Sequence, residues 1–595
     1  METKYISLAS GQHLSDIFPE GIPSNVILHK TLCGIGATTL EINAPRHSII
    51  IEPNVPVIKG KTARHPEVLG VFEGISKEQI ANYINSRSVF CKIMTTPESF
   101  MRVRQALLQT RLYLSRDFFL LFDECEKLVQ DVEFRSRITL PVNLFFQCQK
   151  KAMVSATPII PSDPRYEKQG FELLKVVPSF PYKKLLNLFQ TNNVFTLFSF
   201  VLQNIPAGKK VCVFFNSTSG ITKLIEREHL QSESAIFCSE DAASRLRSQG
   251  YIASENLTMQ DGTAVLPRVS FFTSRFFSAV DILLPEGQEP VVIILTELYT
   301  APHSMIDPRT ETTQIIGRFR NGVHNVYHIM NNNPRIETRT DEELEEYLAG
   351  AHKVYHAFYL AYEGAETEGE SDTLKQALET VDYARFVYGD CEKNTFMYDN
   401  AYNEEHIKAL YKEYDAVHDA YMEEGAFEVN WKQFHLKFSD EQRKLLETPQ
   451  VSKTRLNRLA FRIIQDLIKK NGDLHVMQLH ELSERFSLII NAYQILGPDK
   501  ILEIGFKDQD LTQAVAVAQS LRKERAPGVI AAVRQQFNED TWYSTNDINN
   551  KLRRIFDDFH VDVDKRGIAK KIQIYFDAHP QDKRNARGWF LGKRH

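Results

Sequence analysis

Two successive series of short apolar runs fix most of what this chain can fold into. The first is NVILHK (Asn25–Lys30), SIIIE (Ser48–Glu52), SVFCKIMT (Ser88–Thr95), DFFLLFD (Asp117–Asp123) and KAMVSA (Lys151–Ala156). The second is KKVCVFFN (Lys209–Asn216), SAIFC (Ser234–Cys238), VSFFT (Val269–Thr273), PVVIIL (Pro290–Leu295) and NVYHIM (Asn325–Met330). The runs are continuous rather than alternating, and helix-sized segments separate them. Strands of that kind are buried on both faces, which means parallel sheets covered by helices. The expected class is α/β, with one such layer in residues 1–160, a second in 209–338, and a connector over 161–208. Two tandem layers leave a cleft at the carboxyl ends of their strands, where ligands bind.

At 595 residues the chain is too long for one core, and its length suggests three or four domains. A net charge of −5 gives no global nucleic-acid signature, so any basic surface must be local. Seven cysteines with no CxxC pair fit a reducing compartment and argue against a disulfide framework or a zinc site. No signal layout opens the chain, and the longest apolar runs, such as VFTLFSFVL (Val194–Leu202), are too short to span a bilayer. The expectation is a cytoplasmic protein with no membrane association.

From Thr340 the character changes. Thr340 and Glu343 make a capping box, and residues 340–428 carry 23 Asp/Glu against 6 Lys/Arg. Within them EGAETEGESD (Glu363–Asp372) reads as a flexible acidic patch. This helical region is either a solvated surface or a face for a protein partner, and it would repel phosphates. Residues 429–535 read as a helical domain, with apolar residues at three- and four-residue steps. A compact unit follows over 541–595.

The chemistry begins at Thr31–Ile42, TLCGIGATTLEI, between the first apolar run and a helix-forming segment. Gly34 and Gly36 free backbone N–H groups that can cradle phosphates, and Thr38 and Thr39 follow, with Thr38 placed to bind Mg²⁺. The residue before those hydroxyls is Ala37, where such loops carry lysine. A fourth run ends in Asp123, Glu124, Cys125 and Glu126. Paired carboxylates at a strand end suit a metal held by Asp123 and a water oriented or deprotonated by Glu124. Ser155, Ala156 and Thr157 close the fifth run, and Gln314, Gly317, Arg318 and Arg320 follow the second layer. Gly317 permits close approach of the two layers. Gln314 can hydrogen-bond across the cleft, and the arginines can stabilise charge on a transferring phosphoryl group.

In this order and at these distances, GxGxT, DExE, SAT and QxxGRxR resemble the superfamily 2 (DEAD/DEAH-like) helicase and translocase core, over roughly residues 20–335. The resemblance implies two tandem RecA-like domains, ATP and Mg²⁺ as cofactors, and catalytic Asp123, Glu124, Gln314, Arg318 and Arg320. It implies nucleotide contacts from Lys30, Gly34, Gly36, Ala37, Thr38 and Thr39, with Thr38 and Asp123 on the metal. It also implies nucleic-acid contacts. Glu52–Asn54 and Thr95, Thr96 and Ser99 of TTPES resemble those of the first domain. Asn216, Thr273 and Arg275 resemble those of the second, with Asp281 as a link to the nucleotide. Such loops grip backbone rather than bases.

The chain departs from the pattern at three places. Ala37 lacks the lysine charge, worth on the order of 4 kcal/mol at 4 Å and an effective dielectric of 20. Asn321 stands where the family has its final arginine, which leaves Arg320 as the finger. Lys59–Arg64 matches nothing in the pattern. Two roles are open to Lys30: a cation reaching the β/γ-phosphates in place of residue 37, or a solvated lysine at a strand end.

Near the C-terminus, Ser544 caps a helix over Ile548–Phe556, a second helix is expected from Arg566, and the tail from Lys583 has five Lys/Arg and no acid. This resembles the winged-helix modules of phage and mobile-element replication proteins. The resemblance implies phosphate contact by Lys570, Lys571, Lys583, Arg584 and Arg587; a small helical domain with a basic end is the alternative. His352 and His356, four apart, lack a third ligand and are expected to be ordinary surface or core histidines; the cysteines, Cys33 and Cys125 among them, read as small fillers. The function implied is an ATP-dependent helicase or translocase, on DNA rather than RNA, in replication or maintenance of phage or mobile-element DNA. The alternatives are a hydrolysis-deficient DNA-binding scaffold and a subunit of a nucleic-acid defence or repair complex.

Overall fold

The computed structural model describes residues 1–595 apart from 88, 279, 389–391, 437–438, 441–451, 472–475, 562, 564–565 and 584–585, and apart from the side chains of 466–471 and 476–485. The chain folds as two compact units, Met1–Glu441 and Gln442–His595.

The larger unit holds two parallel eight-stranded sheets. The first comprises β1 (Glu2–Leu8), β2 (Val26–His29), β3 (His47–Ile51), β4 (Val68–Val71), β5 (Lys92–Thr95), β6 (Phe118–Asp123), β7 (Lys150–Ser155) and β8 (Glu172–Pro178). Their order is β1-β8-β2-β7-β6-β3-β5-β4. Every side chain of β2, β5 and β6 is buried, the polar His29, Lys92, Thr95 and Asp123 at their ends included, as in strands covered on both faces. β7 lies between β2 and β6. The carboxyl ends of these three strands therefore stand side by side, which gathers Lys30, Asp123, Glu124 and Ser155 at one edge.

The second sheet comprises β9 (Lys184–Thr191), β10 (Val211–Phe214), β11 (Ser234–Phe237) and β12 (Ala253–Ser254). A small hairpin, β13 (Met259–Gln260) and β14 (Thr263–Ala264), stands outside it; β15 (Val269–Phe272), β16 (Val291–Thr296), β17 (Asn325–Met330) and β18 (Phe427–Phe434) complete it. The order is β12-β11-β15-β10-β16-β17-β9-β18. Phe214, Phe237 and Phe272 stack on one face of this sheet, with ring centroids 5.0 Å apart. These are tandem RecA-like α/β lobes.

The connector 161–208 also supplies strands, β8 to the first sheet and β9 to the second. Two expectations change. The segment around 430 is not helical: Phe427–Phe434 is a strand paired with β9. The acidic stretch Glu363–Asp372 is not a loose patch but the end of one helix, Asp341–Glu363, and the start of another, Glu368–Thr380, capped by Thr367. The capping box at Thr340 and Glu343 forms as read.

The acidic helices pack on both lobes. Leu344, Leu348, Phe396 and Met397 join the core of the first lobe, while Tyr411, Val417 and Tyr421 join a cluster on the second. One helix, Thr395–Lys412, reaches each. Its Asn400 donates to the Val129 carbonyl at 2.9 Å, and its Tyr411 hydroxyl donates to the Ile306 carbonyl at 2.8 Å. No helix among the described residues is long and apolar enough to cross a membrane.

The smaller unit gathers helices including Lys453–Asn471, Val476–Leu496 and Asp508–Glu524. It ends in a three-stranded antiparallel sheet of β19 (Thr541–Ser544), β20 (Phe576–Pro580) and β21 (Gly588–Arg594), in the order β19-β21-β20. Ser544 caps the helix Thr545–Asp558, accepting from the Asp547 N–H. The helix expected from Arg566 is a short 3-10 segment, Ile568–Ile574, that gives way to β20. Trp589 on β21 packs on the core formed by Ile548, Leu552, Phe556 and Ile572.

Candidate nucleotide site between the two lobes

The loop after β2 folds as its glycines demand. Gly34 and Gly36 take φ of +83° and +92°, in the left-handed region that penalises a Cβ. Gly36 caps the helix Ala37–Asn43. Ala37 is buried with Leu40 and Ile42 in the apolar layer under the loop, so this position serves the core.

Thr38 and Asp123 meet directly: Oγ1 of Thr38 donates to Oδ2 of Asp123 at 2.6 Å. A hydroxyl beside a carboxylate is a donor set for a hard cation that keeps waters and takes phosphate oxygens, as Mg²⁺ does. Among the described residues no cluster of three or more His, Cys, Asp or Glu could hold a metal by itself. The fit is therefore to an ion that arrives with a polyphosphate.

Lys30 is buried, with its Nζ 3.6 Å from Oε1 of Glu124 and 3.8 Å from Oδ1 of Asp123. Burial alone would lower its pKa, but the Glu124 and Asp123 charges outweigh it and hold the ammonium above its ordinary value. The second lobe sends Arg318 to the same carboxylate, 3.6 Å from Oε1 of Glu124. Burial would raise the Glu124 pKa, yet Lys30 and Arg318 bring it down to about 2. Glu124 also has φ of +49°, a left-handed backbone that costs a non-glycine residue about 1 kcal/mol and turns the acid off the strand axis.

Gln314 crosses from the helix Glu311–Gly317. Its amide nitrogen lies 3.1 Å from oxygens of Glu124, Glu126 and Thr157. One side chain of the second lobe thus touches both the acid strand end and the SAT turn of the first. Glu126 is fully buried; burial and the Glu124 charge push its carboxyl up to about 8, so it is protonated at neutral pH. Glu52, at the end of β3, is pushed well above the carboxylate range by burial and by Asp123 and Glu124. The sequence reading assigned no part in this site to Glu126 or Glu52. For Glu126 the signal was present in the second acid of DExE.

At Gly317 the lobes approach closely enough that a Cβ there would overlap Cys33. Arg320 lies over the loop, its Nη1 2.9 Å from where a Cβ on Gly34 would be. It is anchored by Asp281, whose Oδ1 accepts from Nη2 at 2.5 Å. The other oxygen of Asp281 lies 3.8 Å from Arg64 of the first lobe. Asn321 donates to the Leu284 carbonyl and takes no part in the cleft. Beside the loop a cavity of about 440 Å³ opens between Cys33, Tyr182, Phe319 and Phe427.

The residues expected to meet nucleic acid divide. Thr95, Thr96 and Ser99 are buried and bonded internally: Thr95 to the Thr96 carbonyl, and the Thr96 hydroxyl to that of Ser99. Glu52 is likewise buried, accepting from the Asn54 N–H. In the second lobe the Asn216 carboxamide accepts from the Ser274 N–H at 3.3 Å, bringing its loop to that of Thr273 and Arg275. The Thr273 hydroxyl donates to the Phe237 carbonyl, and Arg275 is exposed. In the smaller unit Lys570, Lys583 and Arg587 are exposed, while Lys571 is paired with Glu524 at 2.6 Å; Arg584 lies outside the described residues.

No family model matches the chain, and no curated protein matches it. Among solved structures it is similar to a variant of dbp5 of S. cerevisiae bound to nup159, a gle1 variant, ip6 and adp. There the identity is 12%, over 56% of this chain and 84% of that one, with a TM-score of 0.32. A DEAD box protein from the hyperthermophile Methanococcus jannaschii is 11% identical over 52% and 82%, with a TM-score of 0.29. T4 UvsW is 10% identical over 69% and 74%, with a TM-score of 0.20. Likeness at these TM-scores carries no weight for this chain, and its own geometry does.

Proposed function

We propose that this chain is an ATP-dependent nucleic-acid helicase or translocase of the superfamily 2 type. The observation that carries the reading is the seam at Gln314, which joins the acid pair and the SAT turn of one lobe to the helix of the other that leads into Arg318 and Arg320. In this reading Gly34–Thr38 cradle the polyphosphate, and Thr38 and Asp123 take the Mg²⁺ that accompanies it. Glu124, kept ionised by Lys30 and Arg318, accepts a hydrogen bond from the attacking water and orients it. Arg318 and Arg320 face the charge that develops on the transferred group. Nucleic acid runs along the strand ends past Asn216 and Arg275, gripped by its backbone. The C-terminal unit recruits DNA through Lys583, Arg584 and Arg587, in a phage or mobile-element replication setting.

A second reading has its own observation. Ala37 is a core residue, and Lys30 is engaged with the acids, which suits a scaffold that binds ATP without turning it over. Phosphate release by the full chain, with and without single-stranded DNA or RNA, separates the two. The motor reading expects nucleic-acid-stimulated turnover that Lys30→Ala and Glu124→Gln abolish. Turnover unchanged in both variants sinks it, and stimulation by RNA alone sinks the preference for DNA.

A further inference from the structure

The stretch Lys59–Arg64, which matches no helicase motif, ends a helix, Val55–Arg64, at the mouth of the cleft. A chain of approaches links it to the phosphate loop. Arg64 approaches Asp281, Asp281 holds Arg320, and Arg320 overlies Gly34 of the phosphate loop. Lys61 lies three residues before Arg64, on the same side of the helix. The fully buried lysines of this lobe all have partners: Lys30 has the acids, Lys92 the Glu41 and Ala44 carbonyls, Lys127 has Gln130, and Lys151 the Cys148 carbonyl. Among the described residues Lys61, half-buried, makes no side-chain hydrogen bond or ion pair.

We infer that Lys61 binds the polyphosphate of the nucleotide and supplies the cation that position 37 lacks. This rests on the nucleotide-binding reading above. Charge balance supports it. Lys30 and Arg318 are matched by Asp123 and Glu124, and Arg320 by Asp281. Mg²⁺ and a nucleoside triphosphate bring a net negative charge that these closed pairs do not neutralise, while Lys61 is a cation with no counter-ion of its own. Burial lowers its pKa, and the groups that act on it electrostatically are Asp123, Arg64, Asp281 and Arg320, of which Asp123 bonds Thr38 and Arg320 overlies Gly34. Lys30 then keeps the acids in place, and Lys61 takes the phosphates.

The test is equilibrium binding of AMP-PNP and of AMP, with Mg²⁺, to the full chain. Lys61→Met is expected to weaken AMP-PNP about tenfold or more while AMP changes less than about twofold, because one charge is lost against the outer phosphates. Lys61→Arg, which keeps a cation, is expected to stay within about threefold of wild type for both. The melting temperature of Lys61→Met checks that the fold is kept; if it falls, Lys61→Gln replaces it under the same comparison. Unchanged AMP-PNP affinity in the neutral variant, or equal loss for AMP, overturns the inference while leaving the nucleotide reading standing. A wild-type chain that binds neither nucleotide overturns both.

Discussion

The two lobes share an architecture and differ in where they keep their charge. The first ends its strands in buried ionisable groups: Lys30 after β2, Glu52 after β3, and Asp123, Glu124 and Glu126 at and beyond the end of β6. The second places Asn216 and Thr273 just past β10 and β15, and delivers its cations from beyond the end of a helix, at Arg318 and Arg320. Neither set is complete alone. Glu124 sits between a lysine of its own lobe and an arginine of the other, and a buried ion pair broken on one side costs about 3–5 kcal/mol. The contrast teaches that the site is a property of closure, and that opening the lobes unpairs charge as well as moving it. The helix Thr395–Lys412, bonded to both lobes, limits how they can part.

Breaking the acid side should have the largest effect. Glu124→Gln is expected to lower ATP turnover about 10²–10³-fold while AMP-PNP still binds; equal loss of both would remove Glu124 from the chemistry. Breaking the approach of the lobes comes next. Gly317→Ala puts a methyl into Cys33 and should lower turnover about tenfold or more, with Cys33→Gly restoring part of it. Additive losses in the double variant would show that the glycine matters for another reason.

Glu126 gives a smaller, pH-dependent effect. Its carboxyl titrates near 8 in the folded chain against an ordinary 4.5, so between those values the folded state holds a proton that the unfolded state has released. Stability from this group therefore falls as pH rises from about 4.5 to about 8, by up to a few kcal/mol. Glu126→Gln should flatten that slope in denaturant titrations at pH 6 and 9. Parallel pH dependences in the two proteins would contradict a buried neutral acid.

The smallest effect is expected on the second lobe's outer loop. Arg275→Ala should weaken single-stranded nucleic acid a few-fold at low salt and reduce the salt slope by about one contact, without sequence preference. An unaltered slope would take Arg275 off the nucleic-acid path.

What the sequence made legible follows burial. β2, β3, β5, β6 and β7 could be read because strands covered on both faces are apolar throughout, and β10, β11, β15, β16 and β17 for the same reason. β1 (ETKYISL) is an exposed edge, β8 (ELLKVVP) is half-covered, and β18 (FEVNWKQF) is a polar edge, so none shows a continuous apolar run. β4 (VLGV) is too short to stand out. In the site, strand-end residues at Lys30, Asp123 and Glu124 were visible because a parallel sheet lines up its carboxyl ends. Glu52 ends a strand as well, but its approach to Asp123 and Glu124, like the place of Lys61 on its helix, depends on packing that no local pattern records. The hydroxyls of Thr95, Thr96 and Ser99 matched a motif in type, yet the turn uses them for its own capping.

The Gln314 amide has one further consequence. Its nitrogen carries two hydrogens and faces three oxygens at 3.1 Å. Two can be served at a time, and hydrogens for the third are at hand: Thr157 carries its own hydroxyl proton, Glu126 its carboxyl proton, and Lys30 and Arg318 flank Glu124. The seam is thus a set of interchangeable hydrogen-bond patterns of matched geometry rather than one locked arrangement. When Glu124 turns to a water, Gln314 can drop it for Thr157 and Glu126 without leaving a buried N–H unpaired. The second lobe can then register a change at the acid through the exchange of a single hydrogen bond.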